Sequence, residues 1–216
     1  MSGARLLDDF LEMQTRGSHK SHKKLAKLVR EAYPIGVPAM IMKSSTDRLG
    51  SSAGYSFHLG TPDDQLRRVA SWILTMTVDN QIVVHKLIST LWKRHGREDV
   101  ALAALLLANL DHENIGTDPW VTLKSCINDV EPAEALLLSI EELSRSGRPL
   151  PNKEVFFEWC KGRLVESHLA LLCVHVAITK GVDIDQEIIG LISRVEIPIG
   201  DSLLSRIRDI VSSKIE

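Results

Sequence analysis

Residues 91–110 read LWKRHGREDVALAALLLANL, and their pattern sets the fold class. Ala101 to Leu110 is the longest apolar run in the chain, about half the roughly 18 to 20 residues that a bilayer-crossing helix needs, so it reads as a core helix. Just before it, Lys93, Arg94, His95 and Arg97 mark a charged connection between two paired helices, because connections run over the surface. Outward from this stretch, apolar residues recur at three- and four-residue spacing, the signature of helices with one buried stripe. Nothing reads as a strand. The 216 residues are 44% hydrophobic and 25% charged, enough to bury a core, and the apolar set is mostly Leu, Ile, Val and Ala, which suits helix-on-helix packing.

Helix boundaries are legible along the chain. Leu6, Leu7, Phe10 and Leu11 mark a first helix; Leu25, Leu28 and Val29 mark a second that ends before the turn Gly36-Val37-Pro38; Pro38 opens a third that ends at Gly50. Thr61-Pro62-Asp63-Asp64 supplies a cap, a proline and acids at the positive end of the helix dipole, and Thr117-Asp118-Pro119 repeats the pattern. Asp79, Asn152, Asp183 and Asp201 are further caps. The sum is about eleven or twelve helices joined by connections of about 2 to 6 residues, as between antiparallel neighbours. The main irregular segment is SSAGYSFHLG, residues 51–60, and SRSGRPLPN, residues 144–152, is a second break. From Pro62 the helices pair off with a period near about 35 to 45 residues. The expected architecture is all-α: a HEAT-like, ARM-type α-α superhelix, or solenoid, of about six antiparallel helix pairs in a single domain over 1–216. Residues 1–60 would be N-terminal helices, a cap or a first repeat, and residues 61–216 the repeats.

Charge is unevenly spread. The first hundred residues hold 15 Lys+Arg against 10 Asp+Glu, and the remainder 11 against 18, so a polyanion would be drawn to local patches only. RGSHKSHKKLAKLVR, residues 16–30, gathers Arg16, Lys20, Lys23, Lys24, Lys27 and Arg30 with His19 and His22. On a helix Lys20, Lys23, Lys24, Lys27 and Arg30 share a face opposite Leu25 and Val29. That face either neutralises phosphates or is simply solvated. Cys126, Cys160 and Cys173 are odd in number and widely spaced, which reads as reduced thiols and supports neither a disulfide framework nor a zinc site. His168 and His175 stand seven apart, the wrong spacing for a metal grip, and Trp72 and Trp92 read as core. There is no Gly-rich phosphate loop, nucleophile elbow or HExxH. The start MSGARLLDDFLEM carries acids where an export signal would be basic and apolar, so the expected location is cytoplasmic.

Residues 91–110 also carry a family likeness. Leu91, Trp92, Arg97 and Glu98, followed by Ala101 to Leu110, resemble the DNA alkylation repair enzymes of the HEAT-like repeat glycosylase family, and LAKLVREAYPIGVPAMIMKSS, residues 25–45, looks like that family's helix, turn and next helix. The resemblance implies a partner, duplex DNA, and excision of cationic N3- or N7-alkylated purines with no metal and no cofactor. A carboxylate would stabilise charge on the sugar and position water, and tryptophans would hold the cation. Laid on the family pattern, the catalytic acid falls on Glu131, with Asp129 as backup if the alignment shifts by two. The preceding aromatic becomes Ile127, and the last repeat's tryptophan becomes Ser205 beside Arg208 and Asp209. Both aromatic platforms are thus replaced, and Trp120 and Trp159 are the substitutes at hand. Glu131 also precedes Pro132, where an acid merely opens a helix.

The resulting expectation is a DNA-binding HEAT-like repeat protein of the alkylation repair type. Glu131 would act on the scissile bond, and DNA contacts would come from Lys20, Lys23, Lys24, Lys27, Arg30, Lys93, Arg94, Arg97 and Arg208. The alternative is a non-catalytic repeat scaffold whose partner is a protein.

Overall fold

The computed structural model describes residues 3–15, 17–49 and 54–215, and Arg16, Gly50 and residues 51–53 of the expected loop lie outside them. Every regular element among these residues is helical. None of their helices is long and apolar enough to cross a membrane. The chain divides into two compact units, Met1–Cys126 and Ile127–Glu216.

The first unit holds α1 (Gly3–Glu12), a 3-10 turn (Ser18–Lys20), α2 (His22–Ala32), α3 (Ala39–Leu49), α4 (Asp63–Met76), α5 (Gln81–Arg94), α6 (Arg97–Asn109) and α7 (Pro119–Cys126). Its helices form two rows. In one, α4 packs on both α1 and α6; in the other, α5 packs on both α2 and α7; and α1 on α2, α4 on α5, α5 on α6 and α6 on α7 join them. Helix α6 is buried on every side from Glu98 to Ala108, and Leu110 just beyond it is buried too, as expected of a helix that is apolar all round. The second unit holds α8 (Ala133–Arg145), α9 (Lys153–Lys161), α10 (Leu164–Thr179), α11 (Gln186–Ile192) and α12 (Ser202–Ser212). Here α10 packs on α8, α9, α11 and α12, while α9 also packs on α11. Its sequence LVESHLALLCVHVAIT is buried from Val165 to Val174, making it this unit's central helix.

Three of the six helix caps expected from the sequence form. Asn152 accepts from the Val155 N–H at 3.0 Å, Asp201 from the Leu204 N–H at 2.9 Å, and Asp118 from the N–H groups of Trp120 and Val121. Three differ. The Thr61 hydroxyl donates to the Tyr33 carbonyl at 3.0 Å and leaves α4 to start behind Pro62 without a side-chain cap. Asp185, two residues past Asp183, caps α11 through the Glu187 N–H at 2.8 Å. Asn80 follows Asp79 into the cap position of α5 and makes no capping bond. Trp92 is fully buried, but Trp72 is half-buried and lines a shallow groove with Asp8 and Arg68.

The α5–α6 corner explains why residues 91–110 are so particular. His95 turns the chain with φ 60°, a left-handed conformation rare outside glycine. Segment 54–61 lies against the turn: the Ser56 N–H donates to the His95 carbonyl at 2.8 Å and the Arg97 N–H to the Phe57 carbonyl at 2.9 Å. The buried Glu98 carboxylate accepts the N–H groups of Leu59, Gly60 and Thr61 through one oxygen, at 2.8, 2.9 and 3.3 Å. A Cβ on Gly96 would sit 1.9 Å from the Phe57 ring, so a larger residue there requires the ring to move.

Candidate nucleic-acid interface

Helix α2 places the expected basic stripe on the surface. Lys23, Lys24, Lys27 and Arg30 are exposed, as is Lys20 in the turn ahead of it, while Leu25, Ala26, Leu28 and Val29 are buried. The periodicity decides this, because Lys23, Lys27 and Arg30 fall at i, i+4 and i+7 on the face away from the buried residues. The guanidinium of Arg30 lies 3.5 Å from the centroid of the Phe57 ring, which fixes its direction without removing its charge. Lys27 comes within 4.0 Å of Glu31, but both side chains are more than half exposed and the pair is weak.

Helix α5 adds to this face. It packs beside α2, where His22 Nδ1 meets Thr90 Oγ1 at 2.9 Å. Ile82, Lys86, Ser89 and Lys93 recur at helical spacing as its exposed side. The next neighbour, α7, supplies the half-buried Lys124. Across α2, α5 and α7 there are eight lysines and arginines and a single carboxylate, Glu31. The opposite row, α1, α4 and α6, carries four arginines and seven carboxylates, so the two rows have opposite sign. Lys86 and Lys124 escaped the sequence reading. The signal for them was that residues 81–94 and 119–126 contain no acid at all.

Arg94 has a different situation from its neighbour Lys93. Its Nε donates to Asp99 Oδ2 at 2.6 Å, its Nη2 pairs with Asp99 Oδ1, and its Nη1 donates to the Ala26 carbonyl at 2.6 Å. Asp99 is fully buried and also accepts from the Tyr33 hydroxyl at 2.9 Å. Burial acts to lower the Arg94 pKa, and the hydrogen bonds and charge of Asp99 outweigh it and raise the pKa overall. Burial, with Asp99 second, holds the Tyr33 hydroxyl well above its usual value. This cluster ties α2, α5 and α6 together. Arg97 is half-buried in the first turn of α6.

The residues singled out for excision lie in the second unit. Glu131 stands just ahead of Pro132 and α8, and its Oε1 accepts from the Asn128 N–H at 2.7 Å and from Asn128 Nδ2 at 2.8 Å. Asp129 is exposed and pairs with Arg163 at 2.9 Å. Arg163 also bonds Glu166 at 2.8 Å and the Ile127 carbonyl at 3.3 Å, and these two carboxylates raise its pKa, Glu166 most. Ile127 is buried, and Arg208 in α12 donates to the Val195 carbonyl at 3.4 Å. Trp159 is buried in this unit and Trp120 in the first, so neither presents a ring face to solvent. His168 is buried and bonded to the Glu196 carbonyl at 3.0 Å. Among the described residues no three His, Cys, Asp or Glu side chains gather as metal ligands would. No family model matches the chain, and neither a curated protein nor a solved structure matches it.

Proposed function

We propose that this protein is a HEAT-like repeat protein that binds duplex DNA across the α2–α5–α7 row. The observation that carries the reading is the charge division of the first unit: with the Arg94–Asp99 pair set aside, that row holds seven cations and one carboxylate, and the opposite row is acidic. The pairing supports a repeat stack, since α1 with α2, α4 with α5 and α6 with α7 each place one helix in either row. Lys23, Lys24, Lys27, Arg30, Lys86 and Lys93 are long, exposed and spaced to follow a phosphate backbone, the kind of contact that positions a duplex without reading its bases. Binding is therefore sequence-independent and electrostatic. The proposed activity is binding alone, since Glu131 is engaged with Asn128 and the platform tryptophans that the resemblance would employ are replaced by Ile127 and Ser205.

From Lys23 to Arg30 the stripe on α2 runs about 10 Å, at 1.5 Å per residue, which spans about three phosphates of one strand. Neutralising three phosphates gives a slope of log affinity on log salt of about −2.7, or a loss of about 40-fold between 50 and 200 mM salt. Fluorescence anisotropy with a labelled duplex reads this directly. Lys23→Glu with Lys27→Glu should lower both affinity and slope; affinity that is flat with salt sinks the proposal. Incubation with alkylated duplex forms a separate arm, in which release of 3- or 7-methylpurine that Glu131→Gln abolishes would add excision to binding.

A further inference from the structure

The second unit carries a groove of about 550 Å³ that the DNA reading does not use. One wall is α8, through Leu137, Glu141 and Arg145 at i, i+4 and i+8. The other is α12, through Leu203, Arg206, Ile207 and Ile210 at i, i+3, i+4 and i+7. The last turns of α10, which packs on both, make the floor with His175, Val176 and Lys180. Two helical walls over a helical floor form a trench suited to a further helix. Seven to eight residues of wall at 1.5 Å each give a length of about 10 to 12 Å, or two helical turns. Leu203 and Ile210 are 38% and 45% exposed, so the α12 wall presents apolar side chains to solvent where a surface helix is normally polar.

Charge selects the occupant. The second unit holds ten lysines and arginines against fifteen aspartates and glutamates, yet three cations and one carboxylate line the groove. Arg145 is paired with Glu142. Lys180 Nζ bonds the Ser144 hydroxyl at 2.7 Å, and among the described residues neither Lys180 nor Arg206 has a carboxylate partner, so these two present uncompensated positive charge. A positive rim on an apolar trench, in an otherwise acidic unit, complements an acidic amphipathic segment. We propose that this groove docks a two-turn amphipathic helix of a partner protein, with leucine-type anchors at i, i+3 or i+4, and i+7, and carboxylates on its flanks.

The probe is a fluorescent helix-forming peptide of about 14 residues carrying that leucine pattern with glutamate flanks, alongside a twin with lysine flanks, titrated against the full chain. The acidic peptide should bind saturably. Lys180→Glu with Arg206→Glu should weaken it at least about tenfold and reverse the preference between the twins. Leu203→Ser with Ile210→Ser, at exposed positions, should weaken both peptides while circular dichroism shows an intact fold. Equal affinity for the twins, or no binding, overturns the proposal. So does displacement of the peptide by a short duplex, which assigns the groove to nucleic acid. Self-association of the chain that Leu203→Arg abolishes would assign the groove to a second copy and overturn it equally. The duplex titration of the first unit reads out independently of all these results.

Discussion

Replacing Arg94 with alanine removes three hydrogen bonds at once: two to Asp99 and one to the Ala26 carbonyl. Asp99 is 0% exposed and would keep only the Tyr33 hydroxyl and a long bond from the Gly96 N–H at 3.4 Å. Breaking a buried ion pair from one side costs about 3 to 5 kcal/mol, because the remaining charge stays desolvated. The Arg94 side chain is 29% exposed, so water can reach the vacated place, and the lower end of about 3 kcal/mol applies. For a chain of this length each kcal/mol moves the unfolding midpoint by about 2 to 4 °C, giving an expected fall of about 6 to 12 °C. Lys93→Ala is the control. Its side chain is exposed, so stability should stay within about 0.5 kcal/mol. Its salt slope for duplex binding should drop by about one unit. Thermal unfolding by circular dichroism and anisotropy over a salt series measure both quantities in both variants. If Arg94→Ala unfolds at the wild-type temperature and lowers the salt slope as Lys93→Ala does, the assignment of Arg94 to the α5–α6 corner is wrong.

Other expectations concern single groups. Gly96→Ala would drive a methyl group into the Phe57 ring and should cost about 1 to 3 kcal/mol in urea unfolding; an unchanged midpoint would show that the ring yields freely. Burial lowers the pKa of His175, and burial followed by the charge of Lys86 lowers that of His85. With a folded value below the unfolded one of 6.5, each contribution is full above that pH and is lost as pH falls through the folded value. Stability should therefore decline on acidification below about pH 6.5, and His85→Gln with His175→Gln should flatten that part of the curve. Burial pushes the Cys160 thiol up to about 11 and the fully buried Cys173 thiol up as well. Iodoacetamide at mildly alkaline pH, read by mass spectrometry, should label half-buried Cys126 before either; early modification of Cys173 would contradict the packing of α10.

Features governed by near neighbours were the ones readable in advance. The helical class, the α2 stripe and the caps at Asn152 and Asp201 each depend on spacings within a turn or two. Thr61 was misread because the carbonyl that claims its hydroxyl belongs to Tyr33, 28 residues earlier. Arg94 looked like Lys93 for the same reason: its fate depends on Asp99, Ala26 and Tyr33, which only the folded corner assembles. Lys86 stands alone in the sequence and joins Lys93 through the period of α5 and the α2 lysines through packing. The groove of the second unit is beyond any local pattern, since its walls lie at residues 137–145 and 203–210.

For the proposed duplex partner, the division of sign between the two helix rows would act before any contact is made. A body with cations on one side and carboxylates on the other has a dipole moment, and in the field of a polyanion it experiences a torque as well as an attraction. The first unit would thus swing its α2–α5 side forward while still in free diffusion, and a larger share of collisions would become productive than random tumbling allows. Added electrolyte shortens the range of that torque to about a Debye length, so the encounter rate would slow along with the weakening of the bound state.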